Sequence, residues 1–162
     1  MVILGIDPGS RITGYGVVDS NGTKHVYIAS GCIRVPATAA GKPLYKIFAE
    51  ISQLISRYAP VEAAIEKVFV HANPNSSLKL GEARGAAIVA ITQDNLKLAE
   101  YSSREVKKTV AGFGAAEKAQ VQYMVKLLLK IKTDLQADEA DALAVAICHA
   151  QHRSWEACKT NY

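Results

Sequence analysis

Residues 41–68 constrain the fold more than any other part of the chain. Leu44, Ile47, Phe48, Ile51, Leu54, Ile55 and Tyr58 recur at the spacing of an amphipathic helix over about 41–59. Pro60 stops that helix, since proline has no backbone donor and clashes with the preceding turn. An apolar run follows at once and predicts a strand over 61–68. The chain thus leaves a sheet, buries one helical face against it and returns. The crossover rule makes the returning strand parallel to the first.

The rest of the sheet is built around that crossover. Residues 2–6 read as a buried strand, ended by the tight turn Asp7-Pro8-Gly9-Ser10. A second strand covers 13–19, and Asn21-Gly22 is a strong hairpin signal leading to a third over about 24–33. Asn73-Pro74-Asn75 marks a loop over 69–75, after which Ser76 is placed to cap a helix to about 92. A fifth strand is predicted over 96–101. Ser103 is placed to cap a short helix ending before Gly112-Phe113-Gly114, and further helices cover 117–130 and 137–152. The order βββαβαβααα describes an α/β domain over 1–152, a mixed five-stranded sheet flanked by helices, followed by a polar, frayed tail over 153–162.

A chain of 162 residues with 49% hydrophobic side chains is one domain with a real core. Its net charge of +4 permits a polyanionic partner without demanding one. The charge is concentrated: Lys97, Arg104, Lys107, Lys108, Lys118, Lys126, Lys130 and Lys132 face only Glu100, Glu105 and Glu117 over 97–132. Cys32, Cys148 and Cys158 form no CxxC pair, and Cys32 and Cys148 read as small buried hydrophobes. A reduced, cytoplasmic setting follows. No apolar stretch approaches the ~20 residues that span a bilayer, so no membrane association is expected.

Four carboxylates carry the chemistry. Asp7 ends the first apolar run, Glu66 ends the strand after the crossover, and Asp138 and Asp141 open the last, otherwise apolar helix. A parallel arrangement of the first and fourth strands brings Asp7 and Glu66 to neighbouring positions. Asp138 and Asp141, three residues apart, share one helical face in the first turn, where the helix dipole favours ionisation. Clustered carboxylates repel and need an offsetting cation. An all-oxygen set suits Mg²⁺, with Mn²⁺ able to substitute, and disfavours zinc. The Gly9 and Gly14 turns are expected to leave backbone amides free near a phosphate. Taken singly, each Asp also reads as a turn former or a dipole partner, and Glu66 is the hardest of the four to explain that way.

Particular blocks resemble one family. Asp7-Pro8-Gly9-Ser10-Arg11-Ile12-Thr13-Gly14-Tyr15-Gly16-Val17 is similar to the opening motif of RuvC Holliday-junction resolvases. So is Ala64-Ile65-Glu66-Lys67-Val68-Phe69, followed by Leu78-Lys79-Leu80-Gly81-Glu82-Ala83-Arg84-Gly85. Val106-Lys107-Lys108-Thr109-Val110 with Gly112-Phe113-Gly114-Ala115-Ala116-Glu117-Lys118 resembles a third block. Gln136-Ala137-Asp138-Glu139-Ala140-Asp141-Ala142-Leu143-Ala144 resembles the last. The resemblance implies a ribonuclease-H-like fold, a homodimer, and Mg²⁺-dependent endonuclease action on four-way DNA junctions. It implies paired symmetric nicks with 5′-phosphate ends, and a partner branch-migration motor complex of the RuvA–RuvB type. Asp7, Glu66, Asp138 and Asp141 match its catalytic, metal-binding carboxylates.

The same resemblance assigns Phe69 to stacking on junction bases and Lys107 and Lys118 to DNA backbone contacts, with Arg84, Lys79 and Arg104 as weaker candidates. Read alone, each lysine is a solvated surface charge and Phe69 a core aromatic. The helix over 76–92 is the implied dimer seam, or else plain packing against the sheet. Ala72 stands where many members carry a basic residue, Pro74 follows Asn73, and a protonated His71 replaces part of that charge. His149 and His152 read as partners of the last helix's C-terminal dipole. Two rivals remain. The Asp-x-Gly start followed by Thr13-Gly14 also resembles the nucleotide-binding lobe of the actin, Hsp70 and sugar-kinase superfamily, which needs two lobes. A non-enzymatic junction-binding module would explain the basic segment but not the carboxylates.

Overall fold

The computed structural model describes residues 1–35, 42–68, 74–93 and 95–159. The expected order of elements is observed: β1 (Val2–Asp7), β2 (Ile12–Ser20), β3 (His25–Arg34), α1 (Lys42–Tyr58), β4 (Glu62–Glu66), α2 (Pro74–Gln93), β5 (Lys97–Tyr101), α3 (Ser103–Ala111), α4 (Lys118–Leu129) and α5 (Ala137–Lys159). The strands lie in the order β3-β2-β1-β4-β5. Pairings β1–β2 and β2–β3 are antiparallel, whereas β1–β4 and β4–β5 are parallel. The crossover through α1 thus sets β4 beside β1, with Ile6 opposite Ile65.

Alternation along the strands divides the core in two. Leu4, Ile6, Ala63 and Ile65 point to one face, where Ile47, Ile51 and Ile55 of α1 and Ala83, Ala87, Ala90 and Ile91 of α2 cover them. Ile3, Val18 and Ala64 point to the other face, beneath α3, α4 and α5. Helix α5 is buried without a break from Ala142 to Ala150. A helix apolar all round must be covered all round, and α5 has the sheet below and α3 and α4 above.

The approach of α5 to the sheet is direct. A Cβ on Gly5 would lie 2.2 Å from the Ala142 carbonyl oxygen, and one on Gly14 would lie 2.0 Å from that of Asp138. Glycine at these two strand positions lets the helix backbone rest on the strands themselves.

Several boundaries differ from the sequence reading, each for a local reason. Helix α2 begins at Pro74, so Ser76 lies inside its first turn and does not cap it. Proline suits the first helical position because its missing donor has no intrahelical partner there. Ser102, not Ser103, caps α3: its hydroxyl accepts from the Glu105 amide, and the Glu105 carboxylate accepts from the Ser102 amide at 2.7 Å. Helix α5 passes His152 and runs to Lys159. Arg153 is ion-paired with Glu62, and Ser154 packs over Gly22 of the first hairpin. Cys148 is fully buried as expected, whereas Cys32 is only partly so. No described helix is long and apolar enough to cross a membrane.

Substituting Gly5→Ala should lower stability by about 3 kcal/mol, because a backbone oxygen, unlike a flexible side chain, cannot move out of the way. Urea unfolding of the variant beside wild type measures this.

Candidate active site

Two adjacent parallel strands end together at Asp7 and Glu66, and the first turns of α5 lie above them. The result is a cleft of about 220 Å³ lined by Asp7, Glu66, Ser103, Val106, Lys107, Lys118, Val121, Asp141 and Ala144. Asp7 and Glu66 come from β1 and β4, Ser103, Val106 and Lys107 from α3, Lys118 and Val121 from α4, and Asp141 from α5. Asp138 stands one turn earlier on α5, above Gly14 and outside this lining.

The electrostatics of the cleft are those of crowded like charges. Burial, then Glu66, Asp141 and Asp138, push the Asp7 carboxyl up from its ordinary 3.8 to about 8, with Lys118 opposing. Glu66 is also raised, by burial and then by Asp141. A hydrogen bond with Ser103 and the charges of Lys107 and Lys118 pull it the other way. The Lys118 ammonium lies 2.7 Å from Asp141 Oδ2, and this bond holds it protonated above its usual range.

The donor set is that of a hard cation. Among the described residues lining the cleft, the metal-ligating types are carboxylates alone, with no His or Cys. A divalent ion would offset the repulsion that raises Asp7. Among the described residues, however, no three such side chains already stand in coordinating geometry. The structure gathers the carboxylates at one cleft rather than as a closed cage.

The other residues singled out in the sequence are dispersed. Lys107 lines the cleft, and Lys118 lies at its edge, half-exposed. Arg104 is exposed on α3 and packs its stem on Gly114. Lys79 is exposed on α2. Arg84 is taken up by Glu100, at 2.7 Å, and joins α2 to β5. Its Nε is buried without a hydrogen-bond partner. Phe69, His71, Ala72 and Asn73 lie outside the described residues. The Gly9 amide is engaged by Thr13 Oγ1 at 3.4 Å, and Gly14 is a strand residue between Asp7 and Cys32. Neither glycine is a turn that leaves its amide open, as the sequence had led us to expect.

Two participants escaped the sequence reading. Ser103 resembled a helix cap, and only the fold shows its hydroxyl bonded to Glu66. Glu62 was hidden inside an apolar run. It is buried, and it accepts a hydrogen bond from His149 at 2.8 Å. His149 therefore is no partner of a helix terminus, which lies further on.

Comparison with other proteins identifies the chain's relatives. The family model described as crossover junction endodeoxyribonuclease RuvC matches residues 3–149. The chain belongs to the RuvC family. A RuvC from Psychromonas ingrahamii is 58% identical over 149 residues, covering 92% of this chain and 86% of that one. A RuvC from Shewanella frigidimarina is 54% identical over 148 residues, covering 91% and 86%. The solved structure of Thermus thermophilus RuvC with a Holliday junction substrate is similar at a TM-score of 0.91 and 31% identity, covering 96% of each chain. A further Thermus thermophilus RuvC structure aligns at 0.88 and 30% identity, over 96% and 97%. The fold is thus the ribonuclease-H-like fold of RuvC, a mixed five-stranded sheet flanked by helices, and the two-lobed kinase-like alternative falls away.

The raised carboxyl of Asp7 sets a pH dependence. The folded state holds that proton more tightly than the unfolded state. The resulting stabilisation is fully present below about 3.8 and is lost as pH rises through about 8. In EDTA, the melting temperature of wild type should fall between pH 5 and pH 9 by about 5 °C more than that of Asp7→Asn. Calorimetry on both proteins measures the difference, and parallel pH curves would show that Asp7 titrates normally.

Proposed function

We propose that this chain is a divalent-cation-dependent endonuclease that resolves four-way DNA junctions by paired symmetric nicks, leaving 5′-phosphate ends. The observation that carries this reading is the gathering of Asp7, Glu66 and Asp141 at one cleft, at the common end of two parallel strands. A non-catalytic DNA-binding module gains nothing from aiming carboxylates at a polyanion.

Asp7, Glu66, Asp138 and Asp141 are the residues that would hold the cation, Mg²⁺ by preference and Mn²⁺ as a substitute. When bound, such an ion supplies a more acidic water and Lewis acidity toward the phosphoryl and leaving oxygens. The chain's own groups set the stage. Burial of Asp7 and the hydrogen bond from Ser103 to Glu66 fix two carboxylates at the cleft floor. Lys107 and Lys118 bring positive charge to the same opening, where they draw the phosphodiester in against the acidic floor. Their contacts position DNA without reading its sequence. Arg84, Lys79 and Arg104 are weaker candidates for DNA contact, Arg84 being already paired with Glu100. Phe69 comes three residues after Glu66 in the sequence, and we assign it to stacking on junction bases.

Paired nicks need two clefts. The outer face of α2 offers a seam for a second copy: Leu78 and Val89 are 64% and 57% exposed, and a Cβ at Gly81 or Gly85 would meet nothing within 4 Å. Small and apolar residues on one helical face allow close helix approach. We assign the homodimer to this face, a cytoplasmic setting to the protein, and a RuvA–RuvB-type motor complex to its partners.

A synthetic four-way junction and a linear duplex, each incubated with Mg²⁺, Mn²⁺ or EDTA, test the reading. Paired nicks in the junction alone, dependent on the cation, are expected. Asp7→Asn should abolish cleavage while binding the junction as tightly as wild type or more tightly, since it removes repulsion as well as a ligand. Tight binding by wild type with no cleavage across several junction sequences would leave only the binding-module reading.

Lys107→Ala should weaken junction binding and lower the slope of log K against log salt by about one. Titrations at several salt concentrations measure the slope, and an unchanged value assigns Lys107 to solvent.

A further inference from the structure

The carboxylate cleft lies at one end of the β4–α5 contact, and a second ionic cluster lies at the other. Glu62, at the start of β4, is 7% exposed, and His149 of α5 is 8% exposed. The His149 Nε2 lies 2.8 Å from Glu62 Oε2, and Arg153, one turn further along α5, pairs with Glu62 Oε1. The Tyr101 hydroxyl lies 2.9 Å from His149 Nδ1. The Glu62 carboxylate can only accept, so the proton between the two lies on His149 Nε2. Tyr101 is itself the β5 residue in register with Glu66.

The spacing links the two ends. Glu62 and Glu66 are four residues apart on a strand, or about 13 Å. Asp141 and His149 are eight apart on a helix, or about 12 Å. The same two elements therefore meet twice, one strand length apart, with opposite electrostatics. At the cleft, Asp141 repels Glu66. At the far end, Arg153 and His149 attract Glu62.

Between the two ends, α5 rests on the sheet through apolar and backbone contacts, Ala142 and Ala146 on Gly5 of β1 and Leu143 on Gly16 of β2. The glycine contacts set how closely α5 approaches the sheet, whereas apolar burial itself is non-directional. Charge-assisted hydrogen bonds are directional and set it strongly.

We propose that Glu62, His149 and Arg153 are positioning residues that fix the register of α5 on β4 and so the placement of Asp138 and Asp141 relative to Glu66. The clamp touches neither DNA nor cation. It acts by holding repelling carboxylates where they can share an ion. This inference rests on the reading of the four carboxylates as cation ligands.

Mn²⁺ binding to DNA-free protein, followed by electron paramagnetic resonance at 25 °C, tests both levels. Asp7→Asn should lose the Mn²⁺ signal of the bound ion. Arg153→Met should bind Mn²⁺ about tenfold more weakly, the scale of loss when a group supporting metal ligands is removed. Arg153→Lys, which restores the charge, should recover most of that affinity. Arg153 is half-exposed, so its variants keep the core intact, and Glu62→Gln provides a second, deeper probe. A clamp that is only structural lowers the melting temperature of Arg153→Met and leaves its Mn²⁺ affinity at wild type, which overturns the inference. Failure of Arg153→Lys to recover affinity also overturns it. Wild type without bound Mn²⁺, or Asp7→Asn binding it like wild type, removes the carboxylate reading and the clamp with it.

Discussion

Backbone contact between α5 and β1 is the constraint on which the rest of the structure depends. Where Gly5 meets the Ala142 carbonyl there is no room for even one methyl group. That closeness brings the first turns of α5 over the ends of β1 and β4. It also forces α5 to be apolar on every side, because the sheet takes one face and α3 and α4 take the others. A larger residue at position 5 would lift the helix, and with it the acidic side chains it carries.

Closeness has an electrostatic cost. Burial and three neighbouring carboxylates raise Asp7 to about 8, a position that a fold selected for stability alone would avoid. Several features offset it: Lys118 on Asp141, Ser103 on Glu66, and the Lys107 charge at the same cleft. Each offset comes from α3 or α4, the helices that also complete the cover over α5. Packing and charge are therefore solved by the same elements.

Much of this was legible in the sequence, for identifiable reasons. The i, i+3, i+4 pattern before Pro60, the Asn21-Gly22 turn and the two strand-end carboxylates are local signals, and they gave the element order and the parallel β1–β4 pair. Misplaced boundaries have equally local causes. Ser102 and Ser103 are adjacent hydroxyls, and only Glu105 three residues after Ser102 decides between them. The last turns of α5 look polar and read as a tail, whereas Arg153 is paired with a buried partner on β4. A strand pattern cannot show that the Glu62 charge inside it meets a histidine 87 positions away. What the sequence lacked was distance between elements.

The order of the elements has a consequence for the newly made chain. Asp7 and Glu66 lie on strands in the first half of the sequence, but Asp138 and Asp141 lie on α5, after every other described element. A chain emerging from the ribosome has all five strands while holding only two of these four carboxylates. Docking of α5 completes the core and the cleft in one event, since both use the contact at Gly5. A partly synthesised chain therefore lacks two of the four gathered carboxylates, and the full acidic set exists only once α5 has docked.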